Sequence, residues 1–234
     1  MSLKVSLIVP AFNEEKRLRK TIEEFHSFMS CYFLDFEIII VCNNCSDNTL
    51  LIGHKLKKKL GKIVVLNFYF YTGKGGAIIE GFKKARFDLV GFVDADNSTN
   101  CFEFLKLVLE IYDVDAVIGS RNLIDSRIIV KQNFFRKFIG RLFSFIINFL
   151  FDLKISDTQC GAKVFRKNVI DSVICEMILN GFEFDVELLW RLKRKGFVVK
   201  EVPVVWSNSD KSSVGVIDPF KMLYHLVLFR LKGV

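Results

Sequence analysis

A repeated alternation of short apolar runs and longer helical patterns is the feature that most constrains the fold of this chain. The runs are rich in Ile, Val and Leu, which is typical of strands that helices cover on both faces. Parallel neighbours need a crossover connection of about a dozen residues, and the helical patterns are long enough to supply it. We therefore predict an α/β fold with a mostly parallel central sheet. The runs are LKVSLIVP, FEIIIVC, KIVVLNF, DLVGFV and DAVIGS, and the helical patterns cover residues 13–30, 46–60, 75–86 and 102–112.

Length and hydrophobic content fit a large core without a spanning helix. The 234 residues are 51% hydrophobic and include 25 Phe. The longest apolar segment, residues 142–151, is interrupted by Ser and Asn and is well short of the stretch of about 20 residues that spans a bilayer. The first apolar stretch leads into acidic residues, so we expect no signal peptide and a cytoplasmic protein.

The net charge of +8 favours an acidic partner, such as nucleic acid, an anionic membrane surface or a phosphorylated substrate. The basic run at residues 54–62 has no nucleic-acid-binding motif beside it and fits a solvated helix face, so we predict no nucleic acid partner. The six cysteines are scattered and come without a secretory signal, which favours free thiols. Cys42 and Cys45 form a lone Cys-x-x-Cys, for which a metal or redox role is the less favoured interpretation.

Two carboxylates, Asp94 and Asp96, follow one of the predicted strands directly. In open parallel sheets, ligands bind outside the carboxyl ends of the strands, and carboxylate pairs there hold hard divalent cations whose other ligands are water and substrate phosphates. An acidic solvated loop would contain the same residues, but the position at a strand end favours a metal site. Residues 10–14, 42–44 and 119–121 follow other strands and are expected at the same edge.

A glycine-rich turn, TGKGGA at residues 72–77, precedes the third helical pattern. The N-terminus of a helix and the side chain of Lys74 suit a phosphate group. The turn lacks the spacing and the Lys-Ser/Thr pair of a Walker loop, and a helix entry with nothing bound is the alternative.

Seven motifs run in unbroken order from about residue 3 to residue 206. They are VSLIVPAFNEEKRL, GKGGAIIEGFKKA, FVDADNST, VIGSRN, DTQCGAKVF, FEFDVELL and EVPVVW. With them the chain resembles the inverting family 2 glycosyltransferases of GT-A fold, and among these the dolichyl-phosphate glucose and mannose synthases. DTQCG and FDVELL are the most specific and favour the glucosyltransferase-like branch. The resemblance implies a Rossmann-like GT-A fold, a nucleotide-sugar donor and Mg²⁺ or Mn²⁺ as cofactor.

The resemblance also implies roles for individual residues at the donor site. Asp94 and Asp96 would hold the metal and the donor's ribose and diphosphate, although Ser98 stands where mannose-synthase relatives have a Gln ligand. Asn13 capping a helix, with Glu14 favoured by the helix dipole, is a structural alternative that is compatible with donor binding. The residues that would border the nucleoside are Pro10, Ala11, Asn13 and Glu14, and Lys74 is the predicted phosphate ligand.

At residues 41–49 the chain departs from the family, which commonly has an acid where Cys42 stands. In the family that acid accepts a hydrogen bond from the base, and a thiol is a poor substitute. The side-chain carbonyl of Asn43 can accept the same proton from uracil. We therefore expect a UDP-sugar as the donor, with GDP-mannose as the second candidate.

Asp185, at the family's base position, and Asp96, through the metal, are the predicted catalytic residues. A lipid phosphate is already an anion and needs little help from a base, so Asp185 would orient the acceptor or the sugar. Asp157 and Gln159 of DTQCG would face the sugar. The structural alternatives are an ordinary amphipathic helix for FDVELL and plain turn residues for DTQCG.

Arg121 is the predicted anchor for the acceptor phosphate, because a guanidinium offers paired donors to phosphate oxygens. A basic amphipathic helix near residues 131–151, with Arg136 and Arg141, would lie in the headgroup layer, and a packed core helix is the alternative. We assign residues 1–210 to the GT-A domain and 211–234 to an amphipathic tail that begins with Lys211, a further phosphate-binding candidate. The protein would then be peripheral on the cytosolic face of a membrane.

These features together predict transfer of a hexose from a nucleotide-diphosphate sugar to dolichyl or polyprenyl phosphate. Three alternatives remain open: a glycosyltransferase with a sugar or protein hydroxyl acceptor, for which Asp185 would be a true base; a non-catalytic nucleotide-sugar-binding relative; and a nucleotidyltransferase, which would leave DTQCG and FDVELL unexplained. The sequence does not indicate the oligomeric state.

Overall fold

A mostly parallel sheet of seven strands forms the centre of the structure. The structure is a computed structural model, and it describes residues 3–129, 134–207 and 218–232 without the side chains of 134–139 and 141. The strands of this sheet are β1 (Lys4–Ala11), β2 (Asp35–Asn43), β3 (Ile63–Phe68), β4 (Leu89–Val93), β5 (Ala116–Ser120), β7 (Ala162–Arg166) and β8 (Val199–Pro203). Their order is β3-β2-β1-β4-β7-β5-β8, and β7 runs antiparallel to both of its neighbours. A separate parallel pair joins β6 (Arg127–Ile128) to β9 (Val205–Trp206).

Helices cover both faces of this sheet, as the apolar runs predict. They are α1 (Leu18–Tyr32), α2 (Thr49–Leu60), α3 (Gly73–Lys84), α4 (Cys101–Leu109), α5 (Phe134–Phe151), α6 (Lys167–Asp171), α7 (Phe184–Arg194) and α8 (Asp218–Leu231). The start of α4 is explained by its N-cap residue, Asn100. The Oδ1 atom of Asn100 accepts hydrogen bonds from the N–H groups of Phe102 and Glu103 in the first turn of this helix. The predicted α/β class with a mostly parallel sheet is confirmed.

The first helix begins five residues later than the sequence pattern predicts. Asn13 has a φ of 54°, which no helix residue adopts, and its side-chain oxygen accepts hydrogen bonds from the N–H and the hydroxyl of Ser46. The prediction that Asn13 caps α1 is therefore wrong. Asn13 instead ties the end of β1 to the loop after β2.

Three apolar clusters make the core. One lies between the sheet and α1 and α4, and the second lies under α3 and α7 on the opposite face. The third joins α5, α7 and α8, where the rings of Phe151 and Phe229 stack at 6.2 Å and Trp190 meets Phe229 edge to face at 5.3 Å. The last helix is thus part of the packed body. The predicted boundary at residues 210 and 211 falls outside the described residues.

No helix in the described residues is both long and apolar enough to cross a bilayer.

Candidate active site

The carboxyl end of β4 brings an acid and a lysine into contact. Asp94 directly follows β4, and the Nζ atom of Lys74, in the first turn of α3, lies 2.5 Å from its Oδ1 atom. Gly161 makes room for this carboxylate, because a Cβ atom at that position would lie 1.9 Å from the Oδ2 atom of Asp94. The backbone N–H of Asp94 also donates to the carbonyl of Gly161. The DTQCG motif therefore shapes the place where Asp94 sits.

Asp96 and Glu14 bring further negative charge to this edge. The Oδ1 atom of Asp96 accepts a hydrogen bond of 2.9 Å from the N–H of Ser98. Burial raises the pKa of Glu14, with added repulsion from Asp96 and Asp94, while the guanidinium of Arg17, bound to both of its oxygens at 2.6 Å, opposes the rise. These charges fit a site that receives a cation.

The residues suit a hard divalent metal with few protein ligands. Asp94 and Asp96 offer the carboxylate oxygens that Mg²⁺ and Mn²⁺ prefer. In the part of the chain that the structure describes, no group of three or more His, Cys, Asp or Glu side chains is placed to hold a metal. A cation bound here would therefore take its remaining ligands from water and substrate, as predicted for a metal that bridges to a diphosphate.

Asp185 lies in the first turn of α7 and is almost fully buried. Its Oδ1 atom is 2.7 Å from the Nζ atom of Lys163, a fully buried lysine near the start of β7. Burial raises the pKa of the Asp185 carboxyl, and the ammonium groups of Lys163 and Lys74 oppose that rise. Asp185 is thus a buried acid held between two lysines.

The starts of α3 and α7 pack tightly, which explains why Lys74 reaches Asp185 electrostatically. A Cβ atom on Gly75 would lie 2.4 Å from that of Phe184. The N–H groups of Gly75 and Gly76 donate to the carbonyls of Gly181 and Asn180. These N–H groups are therefore engaged within the protein, and the prediction that the N-terminus of α3 offers them to a phosphate is wrong. The side chain of Lys74 remains the phosphate-binding candidate of this turn.

Asn43 ends β2 and holds the loop before α3. Its Oδ1 atom accepts hydrogen bonds from the N–H and the hydroxyl of Thr72, and its Nδ2 atom donates to the carbonyl of Gly73. The side chain is buried and its oxygen already has two donors. Asn43 thus positions the turn that carries Lys74, and its contact with a base stays a prediction.

Arg121 and Asp157 form a bidentate ion pair. The Nε and Nη2 atoms of Arg121 lie 2.7 and 2.9 Å from the two carboxylate oxygens, and the guanidinium lies over the ring of Trp206. Burial alone would raise the pKa of Asp157, but Arg121 holds it below its usual range. The buried carboxylate of Asp157 is thus engaged by Arg121, which argues against the predicted contact of Asp157 with the sugar.

Gln159 keeps a feature that points to a ligand. Its Nε2 atom is buried without a hydrogen-bond partner among the described residues, which is costly unless something else accepts from it. This supports the predicted contact with substrate. The side chains of Arg136 and Arg141, and all of Lys211, lie outside the described residues.

The cysteine pair lies beside the predicted nucleoside site. Cys42 is buried, and the partly buried Sγ atom of Cys45 lies 3.3 Å from the carbonyl oxygen of Ala11, which follows Pro10 at the end of β1. A hydrogen bond from Cys42 lowers the pKa of Cys45 to about 6 and raises that of Cys42. Sequence reasoning found the Cys-x-x-Cys but not the hydrogen bond between its two thiols. It missed Lys163, whose signal was a charged residue inside the apolar strand AKVF.

Comparisons with known proteins found a matching family model and several relatives. Residues 6–174 match the model of Glycosyl transferase family 2. The chain is 32% identical to a dolichyl-phosphate beta-glucosyltransferase of Drosophila melanogaster, over 91% of this chain and 70% of the relative. It is 29% identical to the Saccharomyces cerevisiae protein of the same name, over 97% of this chain and 74% of the relative.

Solved structures share the fold. Glucosyl-3-phosphoglycerate synthase from Mycobacterium tuberculosis, in complex with UDP, superposes with a TM-score of 0.72 at 16% identity, covering 98% of this chain and 79% of the other. The same synthase in complex with Mn²⁺, UDP and phosphoglyceric acid gives a TM-score of 0.69 at 15% identity, covering 97% and 77%. The Rossmann-like GT-A architecture is therefore confirmed.

Proposed function

This chain belongs to glycosyl transferase family 2, and we propose that it transfers glucose from UDP-glucose to dolichyl or polyprenyl phosphate with inversion at the anomeric carbon. One observation carries the proposal. The pairs Asp94–Lys74 and Asp185–Lys163 converge at the carboxyl edge of the sheet, in a chain whose similar proteins include several dolichyl-phosphate beta-glucosyltransferases. GDP-mannose is the competing donor.

The donor would lie across the ends of β1, β2 and β4. Asp94 and Asp96 would hold Mg²⁺ or Mn²⁺, which supplies stabilisation of the negative charge that develops on the leaving diphosphate. Lys74 adds a second positive charge at the same place, because its ammonium already contacts Asp94. The edge-to-face rings of Phe12 and Tyr71, 5.1 Å apart between centroids, offer an apolar contact for the base in a site that lacks the usual acid.

The transfer breaks the bond between the anomeric carbon and the diphosphate and forms a bond from an acceptor oxygen on the opposite face. A lipid phosphate attacks as an anion, so no proton has to be removed in this step. Asp185 then orients substrate and does not serve as a base. Arg121 is our anchor for the acceptor phosphate, since Asp157 engages only Nε and Nη2 of its guanidinium.

The acceptor's isoprenoid chain needs apolar surface near this edge. A cavity of about 810 Å³ reaches from Thr72 and Gly73 to α8, and its wall includes apolar side chains, two lysines and two acids. The charged residues are Lys221, Lys232, Glu183 and Asp218. Both α5 and α8 also expose large apolar side chains, as an interfacial helix does. These are Leu142, Phe145, Phe149, Phe220, Tyr224 and Leu231. We propose that this surface rests on the cytosolic face of a membrane.

The test is a transfer assay with purified protein. UDP-glucose, UDP-N-acetylglucosamine and GDP-mannose are each incubated with Mg²⁺ or Mn²⁺, with and without a short polyprenyl phosphate, and lipid-linked sugar is detected by mass. We expect product from UDP-glucose only when both metal and lipid are present. Asp96→Ala should lower the rate by at least about 100-fold, whereas Asp113→Ala, an exposed acid at the opposite edge, should not.

Other outcomes correct specific parts of the proposal. Product from GDP-mannose alone would overturn the donor, and transfer to a hydroxyl acceptor without lipid would overturn the acceptor. If no nucleotide binds, the chain is a relative that has lost its donor site, and the proposed function fails.

A further inference from the structure

Lys163 is the most deeply buried cation described in the structure. It is the second residue of β7, where its backbone pairs with Phe92 of β4 on one side and Ile118 of β5 on the other. Its side chain has no exposed surface. The ammonium has three neighbours: the Oδ1 atom of Asp185 at 2.7 Å, the carbonyl of Cys160 at 2.7 Å, and the ring of Phe92 with its centroid at 5.2 Å. A charge in such a place needs an explanation.

Stability alone does not supply that explanation. Burying two charges costs several kcal/mol each, and replacing a buried ion pair by apolar side chains is often neutral or stabilising. The contact with Asp185 is short, and Oδ1 has no other partner among the described residues, so it depends on Lys163 for its compensation. A pair of this kind is expensive for the fold and is more readily explained by the site that it adjoins.

The pair is directed toward the reaction centre. The charged groups that act on Asp185 are Lys163 from β7, Lys74 from α3 and Asp94 after β4. Since Lys74 also contacts Asp94, the four side chains form two lysine–carboxylate pairs that are linked by Lys74, whose charge acts on both carboxylates. Loss of Lys163 would leave Asp185 with Lys74 as its only cation within this group, in competition with Asp94.

We propose that Lys163 is a positioning residue of the transfer reaction, which fixes the carboxylate of Asp185 in place and in its charged form and acts on the rate only through Asp185. This inference rests on the proposed function. Lys163 does not touch substrate in this scheme, because it is covered on all sides. Its effect on the rate therefore depends on the presence of the Asp185 carboxylate.

A double-mutant cycle tests this dependence. Lys163→Met, Asp185→Asn and the double variant are compared with the wild type in kcat for lipid-linked sugar and in Kd for UDP. We expect Lys163→Met to lower kcat by at least about tenfold while the Kd for UDP changes by less than about threefold. In the Asp185→Asn background the same substitution should change kcat by less than about twofold, since the group through which it acts is gone.

A second buried ion pair on the same helix provides the control. Arg191 is bound to the fully buried Glu187 at 2.8 Å, and neither residue is among the groups that act most strongly on Asp185. Arg191→Met also leaves a buried carboxylate without its partner, so it should destabilise the protein as Lys163→Met does. We expect it to leave kcat within about twofold of the wild type in the folded fraction.

Each outcome decides the inference. If Lys163→Met keeps the wild-type kcat, or if it lowers kcat by the same factor with and without Asp185, Lys163 does not act through Asp185. Should Lys163→Met fail to fold, the comparison of the double variant with Asp185→Asn still decides, because both lack the buried anion. A wild-type protein that transfers no sugar would instead overturn the proposed function.

Discussion

The guanidinium of Arg121 binds both carboxylate oxygens of Asp157, and the backbone N–H of Arg121 binds one of them again at 2.9 Å. The two residues come from different motifs, VIGSRN and DTQCG. Their contact changes the interpretation of both motifs. A buried acid that already accepts three hydrogen bonds from Arg121 has little capacity left to bind a sugar. Asp157 orients Arg121, and Arg121 is the group that can meet a phosphate.

The ion pair of Arg121 and Asp157 should contribute to the free energy of unfolding by an amount that depends on pH. The pKa of Asp157 in the folded protein lies below that of the unfolded chain, so the pair stabilises the fold above the ordinary Asp pKa of about 4 and loses this effect as the pH falls below it. Asp157→Asn should lower the free energy of unfolding by about 2–4 kcal/mol at pH 7. Urea unfolding of both proteins from pH 7 to pH 3 should show the difference shrinking in acid. A difference that stays constant would contradict the assignment.

The close contact between Gly161 and Asp94 predicts that a larger residue at position 161 weakens metal binding. A methyl group at this position overlaps the carboxylate of Asp94, so Gly161→Ala should push that carboxylate aside and weaken Mn²⁺ binding by at least about tenfold. Isothermal titration with Mn²⁺ in the presence of UDP measures this. Gly140→Ala is the matched control, because a methyl group there meets no atom of the described residues within 4 Å. Equal affinities for the two variants would show that Asp94 does not bind the metal.

The hydrogen bonds of Asn43 predict that a change at the end of β2 also disturbs the turn that carries Lys74. Asn43→Ala removes three hydrogen bonds to Thr72 and Gly73 and should cost about 2 kcal/mol of stability together with a higher Kd for UDP. Asn148 also makes three hydrogen bonds, two with Ile155 and one with the carbonyl of Ser144 within α5, so Asn148→Ala should cost similar stability but leave the Kd unchanged. The prediction fails if both variants bind UDP equally well.

The lowered pKa of Cys45 predicts that this thiol is alkylated at a lower pH than the exposed thiols. Because a hydrogen bond from Cys42 lowers its pKa to about 6, Cys45 should be largely thiolate at pH 7 and react with iodoacetamide as pH rises through 6. Peptide mass mapping over pH 5–8 measures this, with the exposed Cys31 and Cys175 as internal references. In Cys42→Ala the midpoint for Cys45 should move to higher pH. An unchanged midpoint would mean that Cys42 is not the cause.

The exposed rings of α5 predict membrane binding. Phe145 and Phe149 are 71% and 82% exposed, and replacing both by Ser should reduce cosedimentation with phospholipid vesicles by at least about fivefold. Tyr112→Ser is the control, since Tyr112 is similarly exposed but lies beside Arg166 at the opposite edge of the sheet. Vesicle binding that is equally strong in all variants would place the membrane contact elsewhere.

Local patterns determined the strands β1 to β5, although not β7 and β8, together with most helices and the acids at the strand end. Runs such as FEIIIVC have one conformation that buries all their side chains, and Asp94 and Asp96 follow such a run by position alone. The family motifs located Asp185 and Arg121, because each motif is a run of a few neighbouring residues that can be recognised without knowledge of the fold. The start of α1 was predicted wrongly, because the bond of Asn13 to Ser46 joins segments that are distant in sequence.

Only the tertiary structure decided which charges meet. No local pattern shows that Lys163 faces Asp185, that Asp157 binds Arg121, or that Gly161 lies against Asp94. These contacts arise because β7 inserts antiparallel between β4 and β5 and so brings the DTQCG motif beside the acids that end β4. The energy of a charge depends on what surrounds it in space, and a sequence alone does not specify those neighbours.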